Sequence, residues 1–160
     1  MTTHIPSETV WKTIEKNIFA VLGMVTAKGE SRTVGIVYIV HNHQVYITSQ
    51  KHAWKTRHII QNPSVSLTIT IPKSIPFMPW IQIPPATITF SGQATVQDAE
   101  KLPSEILHKL FRGRETDTSL LQNTAVIIIR PTGEFVTYGI GVSLMDMRFP
   151  EKARGRALIY

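Results

Sequence analysis

The chain has no cysteine. That excludes disulfides, thiolate metal centres and cysteine nucleophiles, and it leads us to expect a reducing, cytoplasmic setting. It also lacks any apolar run near the ~20 residues needed to cross a bilayer as a helix. The opening segment MTTHIPSETVWK has neither the charged start nor the apolar stretch of a secretory leader. Acidic residues are scarce, 11 against 17 Lys and Arg, giving a net charge of +6. The excess points to an anionic partner. The charge falls in three small knots, at Lys51, Lys55 and Arg57, at Arg112 and Arg114, and at Arg148, Lys152, Arg154 and Arg156. Separate knots suit a phosphorylated small molecule better than a nucleic-acid duplex, which takes many phosphate contacts along one face.

Catalytic signatures are equally sparse. HExxH, GxSxG, Walker A and GxGxxG are all missing. The glycines of YGIGV have no helix pattern after them, so they are not a dinucleotide fingerprint. His41 and His43 have the HxH spacing of a metal pair, but no third ligand follows nearby. A polar turn is the simpler account, and no metal site is expected. If the protein is an enzyme, a cofactor performs the difficult step.

The length of 160 residues is that of one domain, read here as residues 1–160 with an N-terminal helical segment at 1–18. Residues 7–17 have Val10, Trp11 and Ile14 on one helical face, with Ser7 as the expected cap. Strand patterns follow at 19–26, 32–40 and 44–49, joined by turns at Gly29 and at His41–His43. A short helix is expected at 52–61, with Trp54, Ile59 and Ile60 sharing a face and Asn62-Pro63 ending it. Strands return at 65–71 and 87–97, with a bulge or bend expected at Gly92. The five-proline segment 72–85 between them reads as a loop. Asp98 is the expected cap of a helix that Pro103 splits or opens. A last hairpin is predicted to turn at Thr132-Gly133, leaving a basic tail at 143–160. The pattern is mainly β with a few short helices, a closed or nearly closed antiparallel barrel.

The strongest local signal is TSQKHAWKTR at 48–57. A strand ends in Thr48 and Ser49, and a basic helix begins. Unsatisfied helix-start amides, two hydroxyls and the cations Lys51, Lys55 and Arg57 have the makings of an anion cradle. A solvated helix face that happens to begin with lysines accounts for the spacing equally well.

The motif order extends this reading. FAVLGMVTAKGESR, then RTVGIVYIV, then VYITSQKHAWKTRHIIQNPSVSLTIT, then ITFSGQATVQD resembles the FMN-binding split-barrel superfamily, which includes the pyridoxamine 5′-phosphate oxidases. The resemblance runs from Phe19 to Asp98. It implies a six-stranded antiparallel split barrel of FMN-binding type, a homodimer, and FMN as cofactor. It also implies a phosphate-binding Arg32, with Thr33, Val34 and Gly35 along the flavin ring. Thr48 and Ser49 would stand beside the phosphate and ribityl chain, and Lys55 would meet the phosphate within the Lys51–Arg57 segment. Trp54 and Val37 stand where the oxidases have an arginine and a lysine, and Thr87 stands where a flavin-contacting glutamine is expected. The end, GVSLMDMRFPEKARGRALIY, departs from the oxidases' substrate-gripping segment, so vitamin B6 oxidation itself is not expected. The resulting reading is an FMN-dependent oxidoreductase related to those oxidases. The alternatives are a non-catalytic flavin, deazaflavin or haem module, or an oligonucleotide-binding barrel.

Overall fold

In a β-strand successive side chains face opposite ways, so alternate burial shows which face lines a core. In the computed structural model, which describes residues 3–160, strand β2 (Phe19–Val25) buries Ala20, Leu22 and Met24 and turns Phe19, Val21, Gly23 and Val25 outward. Residues 1 and 2, the start of the expected domain, lie outside the described residues. Strand β6 (Ser64–Ile71) buries Val65, Leu67 and Ile69, and β7 (Ala86–Asp98) buries Ala86, Ile88, Phe90, Gly92 and Ala94. With Val45, Ile47, Ile127, Ile129 and Phe135 these residues form one apolar core. A smaller cluster of Tyr46, Ala99, Leu102, Ile106 and Val126 lies beside it.

The protein is mainly β, with a curled antiparallel sheet. β3 (Ser31–Val37) pairs with β2; after Tyr38 the chain resumes as β4 (Ile39–His41), now paired with β5 (Gln44–Gln50). β5 pairs with β8 (Thr124–Tyr138), β8 with β7, β7 with β6, and β6 with β2. The pairings thus return to β2, with Tyr38 as the covalent joint.

The expected count of six strands differs from the structure, whose sheet has nine among the described residues. Part of the difference is the break at Tyr38, whose side chain turns into the core. The rest comes from the C-terminal segment. Residues 143–160, expected as a tail, contain β9 (Arg154–Leu158), which pairs with β8 and with the two-residue β1 (Thr3–His4). Gly155 makes room for this pairing, since a Cβ there would meet Ile5 Cδ1 at 2.5 Å and Thr137 Oγ1 at 2.7 Å. The predicted hairpin at Thr132-Gly133 is not formed either. β8 runs straight through, because β7 pairs with both of its halves. The register shift between Thr89 and Ser91, not Gly92, absorbs the extra residues, and Gly133 takes its positive φ of 78° there.

Helix α1 (Ser7–Glu15) buries Val10, Trp11 and Ile14 as expected, although Pro6 and not Ser7 is its cap. Helix α2 (Trp54–Gln61) turns Thr56 and Ile59 inward and leaves Trp54 and Ile60 exposed. Positions 54 and 60 are about 120° apart around the helix, and neither falls on the face that buries Thr56 and Ile59. Pro103 separates a 3-10 turn (Ala99–Lys101) from α3 (Ser104–Phe111). Asp98 makes no side-chain cap. Asp117, by contrast, accepts the Leu120 amide to cap α4 (Thr118–Asn123). None of the described helices is long and apolar enough to cross a membrane.

Candidate cofactor groove

Strand register assembles the groove. Thr33 pairs with Gly23, Gly23 with Ser66, Ser66 with Ser91, and Ser91 with Thr132. One row across five strands therefore consists of small residues, four of them with hydroxyls. At roughly 4.8 Å per strand it is about 19 Å long. It floors a groove of about 410 Å³ whose walls include Arg32, Ser64 and Gln93. Gly23 gives the floor its depth, since a Cβ there would come within 2.6 Å of Ser66 Oγ.

Arg32 stands at one end of this groove and also lines an adjoining hollow of about 300 Å³ with Trp54 and His58 of α2. The indole and imidazole meet edge to face at 5.9 Å, and the indole is 42% exposed. His58 Nδ1 is buried without a hydrogen-bond partner. Arg32 itself holds only Glu30, at 3.0 Å, in an exposed pair. Such a pair is worth roughly 0–1 kcal/mol, so the guanidinium is readily released to an anion.

The remaining residues read from the sequence are distributed around this centre. Val34 lies half-buried on the inner face of β3, and Gly35 is exposed beside the Phe19 ring. Val37 is exposed at the strand's end. Thr48 is half-buried on β5; Ser49 is buried and its hydroxyl accepts from Thr56 at 2.8 Å. Lys51 pairs with Asp98 at 3.0 Å. Hydrogen bonds from Lys51 and then Lys101 hold the Asp98 carboxyl below its ordinary range. Lys55 is half-buried and Arg57 exposed on α2, and neither lines the Arg32 hollow. Thr87 belongs elsewhere, to a hollow of about 330 Å³ with Tyr138, Arg154 and Arg156. The structure thus brings Arg32, Thr33 and Trp54 together and leaves the basic segment beside them.

Sequence reasoning missed Gly23, Ser64, Ser66, Ser91, Gln93 and His58. The alternating serines of SVSLTITI and TITFSG were visible, but which of them meet depends on register. Of the HxH pair, His41 lies 3.7 Å from Glu105, while His43 stacks on Trp11 in a tight turn. Among the described residues no cluster of three metal-ligating groups occurs.

A guanidinium fork grips phosphate or carboxylate, a hydroxyl row hydrogen-bonds a polyol, and an exposed indole stacks on a flat ring. The arrangement can therefore hold a phosphorylated, polyhydroxylated, planar molecule. Its lining offers no nucleophile–base pair.

Neither any protein-family model nor any curated protein sequence matches the chain. Solved structures do. An F420 reductase superposes with a TM-score of 0.55 at 16% identity, over 78% of this chain and 93% of its own. A putative pyridoxamine 5′-phosphate oxidase from Listeria innocua gives 0.56 at 18% identity, over 78% and 91%. The haem storage protein HutZ from Vibrio cholerae gives 0.62 at 16% identity, over 86% and 98%. At such identities the likeness is one of fold, a mainly β, curled antiparallel sheet consistent with a split barrel.

Proposed function

We propose that the chain is an FMN-binding protein that uses the flavin as an oxidoreductase and works as a homodimer. The observation carrying this reading is the position of Arg32, where the hydroxyl row meets the Trp54–His58 hollow. Arg32 would bind the phosphate. Ser64, Ser66, Ser91 and Thr33 would hydrogen-bond the ribityl chain, and Trp54 would cover apolar ring surface. When bound, FMN supplies two-electron chemistry, and the protein contributes orientation and electrostatics.

Homodimer formation is supported by the exposed apolar residues Phe19, Val37, Phe77 and Trp80. Phe19, Val37 and the loop at 72–85 lie toward the Ile71–Ala86 end of the sheet, opposite the Val65–Gly92 end that holds Arg32. Large exposed apolar side chains gathered toward one end of a sheet suit an interface.

Haem is the second reading. The favouring observation is a histidine, His58, in the Arg32 hollow, together with a haem storage protein among the structural neighbours. The absorption spectrum of the purified protein decides. Maxima at about 370 and about 450 nm support FMN, a single band at about 420 nm a deazaflavin, and an intense band at about 410 nm haem. Protein saturated with added FMN that returns only a free-flavin spectrum after gel filtration contradicts the proposal.

A further inference from the structure

The hydroxyl groove does not end at Thr132. Gln93 and Thr132 also line a second hollow of about 650 Å³, with Asn42, His43, Gln44, Arg130 and Tyr160 on its walls. We propose that this hollow is a separate site for a small planar anion, an aromatic carboxylate, held beside the flavin groove. The binding does not rest on the flavin reading.

The charged side chains that line it have one sign. No Asp or Glu lines it, and Arg130 forms no ion pair among the described residues. Arg130 is an outward-facing residue of β8, paired with Gln93 of β7, so its guanidinium rises from the same face as the groove. Asn42, Gln44 and Gln93 add amide donors, and Thr132 adds a hydroxyl. An unpaired guanidinium ringed by neutral donors binds a carboxylate through two parallel hydrogen bonds.

Its shape favours a flat ligand. His43 lies on Trp11 with ring centroids 4.7 Å apart and planes 10° from parallel. Trp11 is buried, so the imidazole is backed by a fixed surface while His43 itself stays exposed to the hollow. The turn presenting it is tight, with Asn42 and His43 both at positive φ, 48° and 55°. A rigidly backed ring beside an arginine is a preorganised seat for an aromatic acid. The volume is that of an ordinary small-molecule site.

Calorimetry with benzoate and its neutral isostere benzamide tests the assignment on the full chain, with and without FMN. Benzoate should bind at least tenfold more tightly than benzamide. Arg130→Gln should weaken benzoate at least tenfold and leave FMN binding unchanged. Arg32→Gln should do the reverse. Equal affinity for the two probes, no heat with benzoate at millimolar concentration, or full benzoate affinity in Arg130→Gln overturns the proposal. If Arg130→Gln does not fold, the benzoate–benzamide comparison in the wild type still decides. A protein that binds benzoate through Arg130 but fails to bind FMN keeps this site and loses the flavin reading.

Discussion

The Tyr38 phenol donates a 2.7 Å hydrogen bond to the backbone carbonyl of Ile14, tying the joint between β3 and β4 to the N-terminal helix. Both residues are buried. At this joint the strand leaves β2 for β5, so one side chain fixes both the turn of the sheet and the seating of α1.

Burial pushes the Tyr38 hydroxyl well above its ordinary value. A phenol that titrates higher folded than unfolded gives its full contribution below about pH 10 and loses it as pH rises further. Tyr38→Phe should cost about 1 kcal/mol at neutral pH, the value of one hydrogen bond, because Ile14 O still accepts the Asn17 amide. Above about pH 10 the variant should lose stability less steeply than the wild type. Urea unfolding at neutral and alkaline pH measures both effects, and parallel alkaline curves would contradict the assignment.

Gly23 tests the groove floor. Gly23→Ala places a Cβ against Ser66 Oγ and should lower stability by about 1 kcal/mol through crowding. Adding Ser66→Ala should restore the stability but not FMN affinity, because the groove then has a methyl group in place of a hydroxyl. Thermal unfolding and flavin titration of both variants separate packing from binding. Recovery of both in the double variant would remove Ser66 from the site.

The 72–85 loop tests the dimer. Phe77 is 94% and Trp80 74% exposed. Backbone bonds from Met78 to Ile75 and from Ile81 to Met78 hold the loop in ordered turns. Exposed side chains contribute little to a monomer's stability, so Phe77→Ser with Trp80→Ser should change it by no more than about 0.5 kcal/mol. The same pair should shift the protein from dimer to monomer in sedimentation velocity. A wild type that sediments as a monomer at micromolar concentration contradicts the dimer.

Much of the fold can be read from local pattern. The strand at FAVLGMV, the Gly29 turn, the Asn62-Pro63 stop and the helix with Val10, Trp11 and Ile14 buried all stand in the structure. The misread parts depend on partners distant in sequence. Thr132-Gly133 has the composition of a hairpin turn, and only the length of β7 beside it makes it a bulge. RGRAL looks like a solvated basic run until β8 and β1 offer it edges. The site divides in the same way. Arg32 and Trp54 were legible from motif order. The Thr33–Gly23–Ser66–Ser91–Thr132 row was not, because register across five strands is set by long-range pairing and not by composition.

The most direct test is fluorescence titration of FMN into wild-type protein and Arg32→Gln. Tight, quenching binding by the wild type and a Kd raised ten- to a hundredfold in the variant, about 1.4–2.7 kcal/mol, are predicted for one lost charge-assisted contact to phosphate. Equal Kd values in the two proteins, or no quenching in either, would contradict the account.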